Sequence, residues 1–318
     1  MLDITQPLTL AHSPDADDLV MWWPLAGLPA ELGGSGPAVD TQGLSYRLLG
    51  ADVEELNKGL LSGDLAYDLC AISAAAYPRI ADTYRITRCG GSFGEGYGPK
   101  LVALESPQPT TRPPAQDPLN HLKSGATLAI PGANTTAFAV LRSAVDHAEL
   151  RATVLPFLEI APAVAAGRFD YGLLIHEAQL TFTELGLRKA LDLGEWWQSE
   201  HDLPLPLGLN VVRRDLDERF RPGTLDRVAA ALEASIDAAL ADADAAQRYL
   251  LHTNPDRKEW RDRALLDRYL SMYVSGLTRD MGDAGTRGLV TLYETMHAGG
   301  LIDAVPTVDP LGGSPPAT

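Results

Sequence analysis

Two stretches of this chain pass through the same order of elements, and that recurrence limits the folds open to it. Residues 52–61 read as an amphipathic helix ended near Gly63, after which Tyr67-Asp68-Leu69-Cys70-Ala71-Ile72-Ser73 is an apolar run closing on a hydroxyl. Residues 159–166 repeat the helix, Gly167 breaks it, and Asp170-Tyr171-Gly172-Leu173-Leu174-Ile175-His176 is an apolar run closing on an imidazole. Each of these units follows a short strand that enters a polar loop and then a helix. Residues 8–11 run into His12-Ser13-Pro14-Asp15-Ala16-Asp17-Asp18, and residues 127–130 run into Pro131-Gly132-Ala133-Asn134-Thr135-Thr136. Further strands are expected at 44–49 and 152–156. Apolar runs of strand length that alternate with helical periodicity favour α/β layers over an all-helical or all-β design. The grammar of α/β proteins can produce such an echo by accident; where the echo is real, a geometry follows. Ligands of open α/β sheets bind beyond the carboxyl ends of the strands. The loop 15–18, Ser73, the Thr135-Thr136 loop and His176 would then be corresponding positions in two domains, lining one interdomain cleft.

With 318 residues and 45% hydrophobic content the chain can fill two cores. The expected division is residues 1–103 plus 213–318 for one domain and 104–212 for the other. The helical segments 225–240, 261–274 and 286–298 are expected to pack back on the first domain, and 312–318 to form a disordered tail. The Pro-rich stretch 106–118 reads as an exposed loop. A formal charge of −16 argues against nucleic acid and against anionic membranes, since phosphate binding needs a cationic surface. It leaves room for a small carboxylate, which a few backbone N–H groups can hold locally. The first residues have neither a basic nor an apolar signal region, no apolar stretch reaches membrane length, and Cys70 and Cys89 could make at most one bridge. A cytoplasmic protein is expected.

Several chemical signatures match by letter and fail by setting. Gly90-Gly91-Ser92-Phe93-Gly94 has the spacing of a nucleophile elbow, but Gly96, Gly98 and Pro99 stand where the helix should begin. His176-Glu177-Ala178-Gln179-Leu180 starts like a zinc protease motif and has Leu180 in place of its second histidine. Asp15, Asp17 and Asp18 lack the Gly and terminal Glu of a calcium loop, and helix capping accounts for them. No metal is expected. Thr135 and Thr136 suit a helix start, which is also a carboxylate site. His176 ends a strand at the place where ligands bind, and a histidine in partial burial can accept a proton near neutral pH.

Taken in order, His12-Ser13-Pro14-Asp15, Ala71-Ile72-Ser73 with Tyr77-Pro78, Gly94-Glu95-Gly96-Tyr97-Gly98-Pro99, Gly132-Ala133-Asn134-Thr135-Thr136-Ala137, Leu174-Ile175-His176-Glu177, Glu195-Trp196-Trp197 and Leu203-Pro204-Leu205-Pro206-Leu207-Gly208 resemble the 1,4-dihydroxy-6-naphthoate synthase family of the futalosine route to menaquinone. The resemblance extends from about residue 8 to residue 300. It implies a periplasmic-binding-protein type II-like fold used as a lyase, without metal or organic cofactor. The lyase acts on a small carboxylated substrate, cyclic dehypoxanthine futalosine. It further implies His176 as general base, substrate contacts from Ala71, Ile72, Ser73, Thr135 and Thr136, and a cleft aspartate at Asp18. Some relatives carry Asn where this chain has Asp17. Ala71 and Ile72 can offer only backbone or packing contacts. Two other readings stay open at this point. A non-catalytic small-carboxylate binding protein of the same fold would be expected to carry a signal, a lipid anchor or a DNA-binding segment. Chorismate dehydratase, a sister enzyme, would be expected to lack the strand-end histidine and the Glu-Trp-Trp segment.

Overall fold

The computed structural model describes residues 6–105 and 117–312. Its strands are β1 (Leu8–His12), β2 (Tyr46–Gly50), β3 (Leu69–Ser73), β4 (Tyr84–Ile86), β5 (Ser92–Gly94), β6 (Lys100–Leu104), β7 (Thr127–Ile130), β8 (Arg151–Val154), β9 (Tyr171–Leu174), β10 (Leu187–Asp192) and β11 (Leu205–Arg213). They form two sheets, ordered β2-β1-β3-β11-β4 with β5 also on β11, and β8-β7-β9-β6-β10. In the first sheet β1 runs parallel to β2 and β3, and β11 is antiparallel to β3. In the second, β7 runs parallel to β8 and β9, and β6 is antiparallel to β9. The echo in the sequence is therefore a repeated architecture: two lobes, each a mixed sheet with its helices.

One detail of side-chain chemistry recurs with it. The residue before β3, Asp68, accepts from Thr9 N and Thr9 Oγ1, both at 2.9 Å, and its own N–H donates to Thr9 Oγ1 at 2.9 Å. The residue before β9, Asp170, accepts from Thr127 N at 2.8 Å and Thr127 Oγ1 at 2.7 Å, and its N–H donates to Thr127 Oγ1 at 3.0 Å. In each lobe this reciprocal clasp pins the start of the central strand to its neighbour and sets where the opposite, ligand-facing strand ends fall.

The helices form where local chemistry favours them. Asp52 caps Val53–Ser62 by accepting from Glu54 N at 2.8 Å, and Gly63 ends that helix with φ +77°. β3 is buried along all five residues, as an apolar run between helices should be. The long C-terminal helices are Thr224–Ala241, Ala243–Thr253, Arg263–Tyr273 and Gly282–Ala298. Thr224–Ala241 lies on Ala16–Ala26, where Ser235 Oγ donates to Met21 O at 2.6 Å, and Gly282–Ala298 lies on β11. One apolar cluster runs through both lobes, joining Ile72 and Leu209 of the first to Leu101, Leu128 and Tyr171 of the second.

The expected domain limits shift by one strand at each crossing. β6, placed at the end of the first domain, pairs with β9 and β10 in the second sheet. β11, placed in the second domain, pairs with β3, β4 and β5 in the first. The chain thus crosses between 94 and 100 and returns between 192 and 205, because each sheet gains an antiparallel strand from just beyond the crossing. The expected loop at 106–118 falls, up to residue 116, outside the described residues, as does the tail beyond 312. Among the described residues, no helix is long and apolar enough to cross a membrane, and Cys70 and Cys89 are both buried and unbridged.

Candidate active site

The strand ends of the two lobes enclose a cavity of about 730 Å³, counting the space at its open mouth. Asp18, Ala71, Ile72, Ser73, Thr135, Thr136 and His176 all line it. The structure therefore brings together every site residue named from the sequence. The glycine-rich run contributes differently from a nucleophile elbow: Ser92 lies on β5, and its Oγ accepts from Gly208 N at 3.1 Å across to β11.

His176 follows β9 in a left-handed backbone conformation, φ +57°, which a non-glycine residue adopts only when its surroundings hold it there. Its ring packs edge-on against Phe157, with centroids 4.9 Å apart. Nδ1 stands 3.0 Å from Oδ2 of Asp15, and Nε2 meets no protein partner. Asp15 belongs to the other lobe. The sequence reading makes it a helix cap, and it does occupy the N-cap position of Ala16–Ala26, yet its side chain makes no capping bond and turns to His176 instead. Sequence reasoning missed it for that reason: an aspartate before a helix has a sufficient local explanation. The next residue, Glu177, is anchored to the C-terminal region. Its Oε1 accepts from Trp260 Nε1 at 3.0 Å, and Oε2 lies 2.9 Å from Arg257 Nη2.

Three aspartates crowd the start of the helix Ala16–Ala26, and the fold works against their ionisation. Full burial, with the Glu177 and Asp17 charges beside it, holds the Asp15 carboxyl well above the usual carboxylate range. Asp17 is pushed up to about 7, first by burial and then by Asp18, while Tyr269 donates to its Oδ1 at 3.1 Å. Asp18 is raised by burial, offset in part by the Ser13 N–H that it accepts at 2.8 Å. An anionic ligand meets less repulsion from such carboxyls than from ionised ones. A stability effect follows with a definite sign. Folded Asp17 keeps a proton that the unfolded chain, with its ordinary value of 3.8, has released, so this group destabilises the fold as pH rises from about 4 to about 7. Asp17→Asn should remove that component. Urea midpoints measured across the same window should fall for wild type relative to the variant, and parallel curves would refute the effect.

The polar lining divides into spent and available groups. Thr135 caps Thr136–Ala144: its Oγ1 donates to Gly132 O at 2.8 Å and accepts from Phe138 N at 3.3 Å. Thr136 Oγ1 donates to Leu207 O at 2.7 Å and accepts from Ala75 N at 3.1 Å, both in the first lobe. Both threonine protons are thus committed, and what this helix start offers a ligand is backbone N–H groups of its first turn. Ser73 differs. Its Oγ accepts from Asn57 Nδ2 at 2.9 Å and its N–H donates to Asn57 Oδ1 at 2.9 Å, which leaves the hydroxyl proton to donate. Gln179, Asn210 and Tyr273 also line the cavity, and no sequence pattern marked them. The Glu-Trp-Trp segment is structural: Asp192 caps the helix Leu193–His201 and pairs with Lys100 at 2.8 Å, and Trp197 is fully buried.

Known proteins agree with this architecture. A Candida albicans protein described as having the generic periplasmic binding protein fold superposes with a TM-score of 0.66 at 10% identity, covering 98% of this chain and 99% of that one. A crystal structure of a protein from Archaeoglobus fulgidus superposes with a TM-score of 0.75 at 36% identity, covering 94% and 99%. In sequence, the 1,4-dihydroxy-6-naphthoate synthase of Streptomyces coelicolor is 30% identical over 302 residues, 94% of this chain and 95% of that protein. A family model described as menaquinone biosynthesis matches residues 8–298. The fold is that of the periplasmic binding proteins, and the chain belongs to the menaquinone biosynthesis family, among its 1,4-dihydroxy-6-naphthoate synthases.

Proposed function

We propose that this enzyme is a lyase that converts cyclic dehypoxanthine futalosine into 1,4-dihydroxy-6-naphthoate, with His176 as the general base. The observation that carries the reading is the state of the histidine: Nδ1 is held 3.0 Å from Asp15 while Nε2, on a cavity wall, has no protein partner. A base must be oriented through one ring nitrogen and open through the other. His176 Nε2 takes a proton from a carbon next to an activating group of the substrate; the electrons left behind expel the sugar-derived fragment, and the aromatic product draws the reaction forward. As the imidazole becomes cationic, its Nδ1–H faces Oδ2 of Asp15 at 3.0 Å, an oxygen that can accept from it even while that carboxyl keeps its proton. The substrate carboxylate rests on the first-turn N–H groups of Thr136–Ala144, with the Ser73 hydroxyl as a further donor.

The division of donors makes two substitutions behave differently. Ser73→Ala removes an available donor and should raise KM about 10-fold with kcat little changed. Thr135→Ala removes a helix cap and should cost about 1 kcal/mol of stability with a smaller effect on KM. Steady-state kinetics and urea denaturation on the same preparations separate them, and equal KM effects would show that the Thr135 hydroxyl binds substrate after all.

The reading itself is tested by incubating the purified protein with cyclic dehypoxanthine futalosine and, separately, with chorismate, and following products by chromatography. Formation of the naphthoate from the first alone supports it. Dehydration of chorismate, or retention of either compound without turnover, overturns it in favour of the dehydratase or a binding protein.

A further inference from the structure

Among the described residues, three cavity-lining side chains carry a buried polar atom with no protein partner: His176 Nε2, Gln179 Oε1 and Asn210 Oδ1. The first is the proposed base. The other two belong to side chains that are each 97% buried or more, with relative exposures of 3%, and both free atoms are acceptors. For Asn210 the assignment is forced by its neighbour. Nδ2 donates at 2.8 Å to Gly90 O, a carbonyl that can only accept, so the amide oxygen is the end left over. The backbone holds the residue firmly, because Asn210 O accepts from Thr87 N at 2.9 Å and Thr87 Oγ1 at 3.0 Å. Gln179 is fixed from the other lobe, with Nε2 donating to Tyr273 OH at 2.6 Å and Oε1 left over.

A buried acceptor without a donor is costly, and on the wall of a cavity a bound ligand, or the water it displaces, is what can complete it. A carboxylate cannot complete an amide oxygen; a hydroxyl can. We infer that Asn210 Oδ1 and Gln179 Oε1 each accept a hydrogen bond from a hydroxyl on the sugar-derived part of the substrate, so that the cavity reads hydroxyls at these two walls and the carboxylate at the helix start. This inference rests on the lyase reading above. It explains how one cavity sorts the two ends of a bifunctional ligand: donors from Ser73 and the helix start of Thr136–Ala144 face the anion, and acceptors face the hydroxylated portion. It also makes Asn210 and Gln179 residues that determine specificity, since a site built to accept from a hydroxyl discriminates strongly against an analogue that lacks it.

The test is an analogue cycle. Wild type, Asn210→Ala and Gln179→Ala are assayed for kcat/KM on cyclic dehypoxanthine futalosine and on its analogues lacking single sugar-derived hydroxyls, with thermal midpoints recorded for each protein. Wild type should lose about 10- to 100-fold on the analogue missing the hydroxyl that Asn210 reads. Asn210→Ala should lose a similar factor on the parent compound and nothing further on that analogue. Gln179→Ala should show the same pattern with a different hydroxyl, which keeps the inference testable should one variant fail to fold. Losses that multiply for every analogue, or parent kinetics unchanged in the folded variants, overturn this inference and leave the lyase reading intact. Absence of turnover by wild type on the parent compound overturns both.

Discussion

Replacing His176 by alanine is expected to lower kcat by about 10³-fold, within the range that removal of a positioned general base produces. Each factor of ten corresponds to about 1.4 kcal/mol, so the loss is roughly 4 kcal/mol of transition-state stabilisation. KM should change far less, since the ring is one wall of a cavity whose proposed carboxylate-binding groups, Ser73 and the helix start at Thr136, lie elsewhere on its lining. Folding should survive. His176 sits at φ +57°, a conformation that alanine adopts only somewhat less readily than histidine, and its removal sacrifices the edge contact with Phe157 and the 3.0 Å approach to Asp15. The measurement is product formation by chromatography on wild type and variant with matched circular dichroism. Added imidazole should restore part of the activity of the variant, because the space beside Asp15 is then open to a free base. Near-normal turnover by a folded His176→Ala would assign the proton transfer to another group.

The second large effect concerns a residue outside the cavity lining. Glu54, buried on the helix Val53–Ser62 of the first lobe, receives the loop of the second: it accepts from Ala133 N at 3.1 Å, from Asn134 N at 3.2 Å and from Asn134 Nδ2 at 2.9 Å. Gly132 is glycine because a Cβ there would stand 2.4 Å from Cδ of Glu54. Hydrogen bonds to a charged acceptor are worth about 1.5–3 kcal/mol apiece and are not additive. Glu54→Ala strands these donors together and is expected to cost about 3 kcal/mol, a fall in thermal midpoint of roughly 5 °C. The same loop leads into the helix start assigned to the substrate carboxylate, so KM should rise as well. Calorimetry with kinetics on one preparation checks both; a midpoint unchanged within error would show that the loop holds its shape without the carboxylate.

How much of this was legible beforehand depends on range along the chain. The strand Thr127–Ile130 and the apolar run ending at Ser73 could be read locally, since their burial is written in consecutive residues. The cavity could be read as well, because strand ends in α/β sheets have a fixed relation to ligands. The pairing of β6 and β11 could not: an antiparallel strand taken up just beyond a crossing has no local mark, so the limits at 103 and 212 fell on the wrong side of those strands. The short strands β4 and β5 are three residues each and carry no periodicity. Asp15 was visible only as a cap because the residue that diverts it lies 161 positions away, at 176. Asn210 looked like one polar residue inside an apolar strand, and what distinguishes it is a carbonyl at Gly90. Thr135 and Thr136 do line the cavity, but their hydroxyls are committed to Gly132 O and Leu207 O, a use of the side chains that nothing in the local sequence marks.

Asp15 follows β1 and His176 follows β9, so the proposed base and the carboxyl 3.0 Å from its Nδ1 ride on different lobes. Any motion that parts the lobes would also separate this pair and admit water to three carboxyls whose ionisation burial disfavours. On the lyase reading proposed above, such water is where His176 would release its proton before the next substrate binds.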